Sequence, residues 1–251
     1  MAVDSPRHSG ALVLMAKVPY PGTCKTRLCP PLSPREAARL YGCFLEDLAR
    51  ELAAWPADVD VVIAWTDDDR RQPDTPAATD QPPELLRELF EADRYTFLRQ
   101  QGASLTDRME HVFSTLFARG YARVVMRNSD SPHLPLRFLD DAFVALAARP
   151  GRVVLGPDLD GGYYLVGGDA DMGGVFPRVM STDSVLDQTL AGAEQAGRAV
   201  HLLPTFLDVD TPDDLAAFWL EFGGRADVRH WATWKELDGH PALERLGDLT
   251  G

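Results

Sequence analysis

The 251-residue chain lacks both of the common glycine signatures of nucleotide binding. No G-x-x-x-x-G-K-[ST] run occurs, which excludes a P-loop. No G-x-G-x-x-G occurs, which argues against a dinucleotide-binding Rossmann site. Cysteine is scarce: Cys24, Cys29 and Cys43 are odd in number and show no metal-ligand spacing. A reduced, cytoplasmic setting is expected, with a Cys24–Cys29 bridge as the minor alternative. Positive charge is in deficit, with 25 Lys and Arg against 38 Asp and Glu and a formal net charge of −13. Nucleic acid and anionic membrane surfaces would repel such a chain. No apolar run approaches the ~20 residues that cross a membrane. The short apolar stretch at 11–16 is followed by no cleavage pattern of a signal peptide. No internal repeat is visible.

What is present is an ordinary globular composition, 45% hydrophobic, in a length that suits one large α/β domain. Residues 1–10 read as a frayed, disordered tail. The pattern then alternates. Strands are expected at 11–16, 59–65, 95–98, 123–126, 152–155, 163–166 and 201–203. Helices are expected at 34–54, 84–90, 104–119, 136–148 and 184–196, and after Thr211. Ser33, Pro34 and Glu36 form a helix start with a capping box. Gly120 stops the 104–119 helix. The Asp- and Pro-rich segment 66–83 reads as loop. Strands alternating with helices predict a mostly parallel sheet covered on both faces. The body is expected to span 11–222 as one domain. An extension, 223–251, carries Trp231 and Trp234 and is expected to pack back on it.

The loop after the first strand stands out against the acidic background. Ala16, Lys17, Gly22, Lys25 and Arg27 lie within twelve residues of one another. In open α/β sheets ligands bind beyond the carboxyl ends of the strands. Lysine offers a point charge and arginine a planar fork, and both suit phosphate. The plain alternatives are a solvated basic loop, or Arg27 anchoring the loop on an acid such as Glu36.

Three acidic segments fall at other strand ends: Asn128-Ser129-Asp130-Ser131-Pro132, Pro157-Asp158-Leu159-Asp160-Gly161-Gly162 and Asp208-Val209-Asp210-Thr211-Pro212. Each alone could be a turn, because Asp, Ser, Pro and Gly dominate turns. Brought to one sheet edge with the basic loop, they would form a nucleotide–metal site. Mg2+ or Mn2+ takes carboxylates together with phosphate oxygens. Asp208 and Asp210 could instead stabilise the helix start at Thr211. Asp183 is a helix-capping carboxylate or a general base. His133 is a solvated loop histidine, a metal ligand or a proton donor. Tyr163 and Tyr164 alternate faces, so at most one faces a ligand. Cys24 has no paired histidine that would support covalent chemistry.

The segments AKVPYPGTCKTRL, NSDSPHLP, GPDLDGGYYLVG, MSTDSVLDQTL and DVDTPDDL recur in this order in a known family. The chain resembles the bacterial DUF2064 family, which carries a glycosyltransferase assignment on the GT-A fold. The opening KTRL pattern also resembles 2-phospholactate guanylyltransferase. The DVDTP segment resembles the end of the molybdenum-cofactor and sugar-acid nucleotidyltransferases. The resemblance implies a three-layer Rossmann-like GT-A, or nucleotide-diphospho-sugar transferase, fold. It implies Asp130 and Asp210 as metal aspartates, with Asp208 beside them. It implies Lys17, Lys25 and Arg27, with Ala16, Gly22 and Ser129, as the phosphate site. Asp158, Asp160, Gly161 and Gly162 would line the sugar or acceptor side. The expected partners are an NTP or NDP-sugar and a small-molecule acceptor. The expected reaction is nucleotidyl transfer with pyrophosphate release or, alternatively, glycosyl transfer. Arg127-Asn128 and Met180 depart from the pattern, which tends to have an apolar residue and glycine at the first place and tryptophan at the second. Asn128 is therefore expected to narrow the room beside the metal.

Overall fold

The structure is a computed structural model, and it describes residues 6–55, 58–67, 81–91, 94–180 and 183–243. The expected 66–83 loop falls largely outside the described residues, as do Thr182 and the end of the C-terminal extension.

Among the described residues, seven strands form one sheet: β1 (Gly10–Lys17), β2 (Asp60–Thr66), β3 (Thr96–Arg99), β4 (Arg123–Arg127), β5 (Arg152–Pro157), β6 (Tyr163–Gly168) and β7 (Ala199–Leu202). Their order is β3-β2-β1-β4-β6-β5-β7. All neighbours run parallel except at β6, which is antiparallel to both β4 and β5. β6 follows β5 through a tight loop, and a short connection of that kind can only reverse direction. The chain winds outward from β1 to β3, then returns to place β4 on the other flank of β1. The sheet therefore switches direction between β1 and β4, where open α/β sheets leave a crevice.

Among the described residues, seven helices accompany the sheet: α1 (Pro34–Ala54), α2 (Glu84–Leu89), α3 (Leu105–Ala118), α4 (Arg137–Ala148), α5 (Val185–Gln195), α6 (Pro212–Phe222) and α7 (Ala232–Leu237). Three of them start as their sequences dictate. Ser33 with Glu36, Ser104 with Asp107 and Thr211 with Asp214 each close a reciprocal capping box, satisfying N–H groups that a helix start leaves unpaired. The period-2 pattern of the strands divides the core. Leu12 and Leu14 face α1, α4 and α6. Ala11 and Val13 face α3 and α5. The result is the expected three-layer architecture with a mostly parallel sheet.

Some boundaries move. β7 starts two residues before the expected 201, because Ala199 and Val200 pair with Arg152 and Val153. The amino-terminal segment is anchored from Arg7 onward. The Arg7 and His8 backbone N–H groups donate to the Asp60 carboxylate, and Gly10 already belongs to β1. Beyond α6 the chain folds into α7 against α1. The buried Asp47 carboxylate of α1 accepts the N–H groups of Ala232 and Thr233 at 2.7 and 2.8 Å. Trp231 packs on Phe218 and Phe222, and Trp234 on Trp219.

Candidate functional site

A cavity of about 720 Å³ opens at the carboxyl ends of β1 and β4. The β5–β6 loop, the start of α5 and the segment before α6 complete its wall. It gathers six carboxylates, from Asp130, Asp158, Asp160, Asp183, Asp208 and Asp210. Four cations line it as well: Lys17, Lys25, Arg27 and Arg127. Met15, Leu105, Met109, Met126, Met180 and Val185 give it an apolar side.

The basic loop reaches the acidic segments directly. Lys25 adopts a left-handed backbone, φ 50°, just before a 3-10 turn at Thr26–Leu28. Its side chain is buried. Its ammonium lies 2.6 Å from Asp130 Oδ1 and 3.6 Å from Asp210 Oδ1, and it donates to the Val209 carbonyl at 2.6 Å. Burial works against the charge, but Asp130 and then Asp210 overcome it, so the Lys25 pKa is raised. Arg27 is exposed at the mouth. It donates to Asp210 Oδ2 at 2.7 Å and stands 3.9 Å from Asp160. The alternative pairing of Arg27 with Glu36 does not occur. Glu36 accepts the Ser33 N–H in its capping box and faces His240 at 3.6 Å.

Asp210 therefore has a cation on each oxygen. The start of α6 is bonded by Thr211 and Asp214 instead; Asp210 gives its backbone N–H to Asp214 there, and its carboxylate makes no capping bond. Among the described residues, Asp208 forms no such ion pair. Burial, followed by the charge of Asp130, raises its carboxyl to about 7. Asp158 is pushed up to about 8, first by burial and then by Asp160. It also closes its own turn by accepting the Gly162 N–H at 2.6 Å. Burial is the larger cause of both shifts, and the neighbouring carboxylates add to it, because the cavity carries more carboxylate than its own cations balance.

The remaining expected residues occupy distinct places. Ala16 and Lys17 form the rim at the end of β1. Gly22 turns the basic loop at φ 83° and lies off the cavity wall. The Ser129 hydroxyl is buried and bonds Tyr41 at 2.7 Å, so it faces a side chain of α1. Gly161 also lies off the wall, and its φ of 90° is required. A Cβ there would collide with the Asp183 backbone, and its carbonyl accepts the Leu186 N–H at 2.9 Å. This contact fixes Asp183 beside the β5–β6 loop. Asp183 lines the cavity, and the Ser184 N-cap of α5 makes no side-chain capping bond.

His133 corrects the sequence reading. It is neither solvated nor at the cavity: it is buried against Phe206, Phe218 and Phe222, with ring centroids 4.9 to 5.2 Å away. Burial, then Arg127, pushes its pKa down to about 3. Cys24, Cys29 and Cys43 are free thiols. Burial holds Cys24 up at about 11, which leaves it a poor nucleophile at neutral pH.

Sequence reasoning missed Tyr41 and Gln100, and saw Arg127 only as a departure. The Tyr41 hydroxyl accepts the Lys17 N–H at 2.9 Å and bonds Ser129, tying β1 to the Asp130 loop. In the sequence it is one aromatic on a buried helix face, with no signal of its own. The Gln100 amide donates to the Ala16 and Ala64 carbonyls. Arg127 is buried beneath the Asp130 loop. Burial pushes its pKa down to about 10, opposed first by the Glu51 carboxylate. Burial in turn raises Glu51 to about 7, despite Arg127.

Comparison with known proteins follows the fold. No curated protein matches the chain in sequence. A solved structure from Desulfovibrio desulfuricans, provisionally described as a nucleotide-diphospho-sugar transferase, is 29% identical, with a TM-score of 0.78 over 95% of this chain and 97% of its own. A cytidylyltransferase from Leptospira borgpetersenii serovar Hardjo-bovis is 12% identical, with a TM-score of 0.52 over 97% and 96%. A 4-diphosphocytidyl-2C-methyl-D-erythritol synthase is 11% identical, with a TM-score of 0.50 over 85% and 99%. The last two share the fold alone. Among the described residues, no helix is long and apolar enough to cross a membrane. The profile of the family described as "uncharacterized protein conserved in bacteria (DUF2064)" matches residues 51–182, and the chain belongs to that family.

Proposed function

We propose that the cavity binds a nucleoside polyphosphate and that the protein is a metal-dependent transferase of nucleotide-sugar chemistry. The reaction we assign is nucleotidyl transfer. A phosphate oxygen of a small acceptor bonds to the α-phosphorus of an NTP, the α–β bridging P–O bond breaks, and pyrophosphate leaves. One observation carries this reading: Lys17, Lys25 and Arg27 converge with Asp130, Asp208 and Asp210 at the switch point of the sheet. The description of the D. desulfuricans relative supports nucleotide-sugar chemistry in general and favours neither nucleotidyl nor glycosyl transfer.

The residues fit Mg2+ or Mn2+. Six carboxylates face four cations, so a polyphosphate needs a further positive charge to enter. Among the described residues no three acids, histidines or cysteines form a ready cage. Mg2+ does not need one, because it takes one or two carboxylates plus phosphate oxygens and water. Asp130, which Lys25 engages through one oxygen, and Asp208 would hold it, whereas both oxygens of Asp210 are already engaged by Lys25 and Arg27. The bound metal would neutralise and orient the phosphates. The chain's own cations do the rest. Arg27 at the mouth offers its fork to a leaving phosphate, and Lys25 holds Asp130 and Asp210 in register. A phosphate acceptor is already anionic, so this reaction asks little of a general base.

A second reading, glycosyl transfer from an NDP-sugar, has its own observation. Asp183 lines the cavity just before α5, and a carboxylate there could act as the base of an inverting transfer. Products distinguish the two. The protein is mixed with Mg2+, each NTP and a panel of phosphorylated sugars and acids, and in parallel with NDP-sugars. Pyrophosphate release that depends on the acceptor supports the first reading. NDP release from an NDP-sugar, without pyrophosphate from any NTP, overturns it in favour of the second. We further propose that 11–222 is the transferase unit and 223–251 an extension on it, working in the cytoplasm on small molecules.

A further inference from the structure

Arg127 closes β4, and only 1% of it is exposed. A buried guanidinium is costly unless its position returns something. Here its fork grips the next loop at both ends. Nε donates to the Asn128 carbonyl at 3.1 Å, and Nη2 donates to the Ser131 carbonyl at 2.7 Å. Between those carbonyls lies Asp130. Other bonds hold the same loop from outside. The Asn128 N–H donates to the Tyr164 carbonyl, Ser129 bonds Tyr41, and the Asp130 carbonyl accepts the Val209 N–H. The Tyr164 carbonyl belongs to β6, so it too reaches the loop from within the sheet, but in this set Arg127 alone bonds the loop with one side chain at two points. Its Nη1 makes no hydrogen bond, so the buried charge is not kept for a complete polar network of its own.

We propose that Arg127 is a positioning residue for Asp130: its fork fixes the 128–131 loop from the end of β4 and sets the Asp130 carboxylate to receive a divalent cation. The second half of this rests on the reading of Asp130 as a metal ligand. Lysine at this place would keep the charge and lose the fork. Methionine would lose both and keep an unbranched stem.

The test compares wild type, Arg127→Lys, Arg127→Met and Asp130→Asn in two measurements. Free Mn2+ is followed by electron paramagnetic resonance during titration with Mn2+ alone. Hydrogen exchange is followed in the peptide covering 128–134. Arg127→Met is expected to weaken Mn2+ binding about 10- to 100-fold and to speed exchange in that peptide while the other strands stay protected. Arg127→Lys is expected to show the same faster exchange but a smaller loss of Mn2+ affinity, a split that general destabilisation would not produce. If Arg127→Met does not fold, Arg127→Lys against wild type decides. Wild-type exchange and wild-type Mn2+ affinity in the Arg127 variants would overturn the proposal. An Asp130→Asn protein that binds Mn2+ as wild type does, or a wild type that binds none, would overturn the metal reading and its share of the proposal. The exchange data would still judge the grip on the loop.

Discussion

At the scale of single residues, the site is a balance of opposite charges that no one residue satisfies alone. Lys25 reads as a phosphate lysine in the sequence, yet its ammonium rests between Asp130 and Asp210. The spacing of a basic loop shows that charge is present, not which partner 184 residues away receives it. Arg27 and Lys17 are the cations left exposed at the mouth. Arg27→Lys is expected to weaken nucleoside triphosphate binding by roughly tenfold while sparing the nucleoside, because lysine keeps the charge and loses the fork. Equal losses for both ligands by calorimetry would contradict a phosphate role. His133 gives a pH prediction of known sign. Its folded pKa of about 3 lies below the unfolded value of 6.5. The unfolded chain therefore takes up the proton first as pH falls, and stability drops between about 6.5 and 3, at no more than about 1.4 kcal/mol per pH unit. Half-buried Glu51 works the other way between 4.5 and about 7, so the comparison must isolate the histidine. His133→Leu is expected to flatten the acid limb of a denaturation series run from pH 7 to pH 4. An unchanged limb would show that the ring titrates normally in the fold.

At the scale of elements, legibility followed local chemistry. The capping box at Ser33 and the helix start at Thr211 are legible in the sequence, and the Ser104 start matches too, because a cap is decided within four residues. α7 was not legible. Six residues cannot hold a helix by propensity, and its first N–H groups are taken by Asp47, 185 residues earlier. Asp47→Ala is expected to cost about 2 kcal/mol in a denaturant titration, since it strips two N–H groups of a charged acceptor. Nucleotide affinity should stay at the wild-type level, because α7 lies away from the cavity. A loss of affinity with unchanged stability would tie the extension to the site instead. His133 was misread for the same reason: a histidine in a Ser-Pro-His loop looks solvated until α6 brings Phe218 and Phe222 over it.

At the scale of the whole molecule, the alternation of strands and helices determined the layers, and the resemblance supplied the fold. The antiparallel β6 and the place of the crevice came only with the strand order. That order puts the ends of β1 and β4 side by side, and it brings Lys25, Asp130, Asp208 and Asp210 together from three distant segments. Sequence shows the segments but not their distances, so the pairing of Asp210 with Arg27 and the burial of Arg127 could not be read from it.

The central claim is that this crevice binds nucleoside phosphate through a divalent cation on Asp130. Calorimetric titration of nucleoside triphosphates into wild type and Asp130→Ala, each with Mg2+ and with chelator, tests it most directly. The account predicts binding by wild type with Mg2+, little or none with chelator, and none by a folded Asp130→Ala protein in either condition. Equal affinity in all four titrations would contradict it.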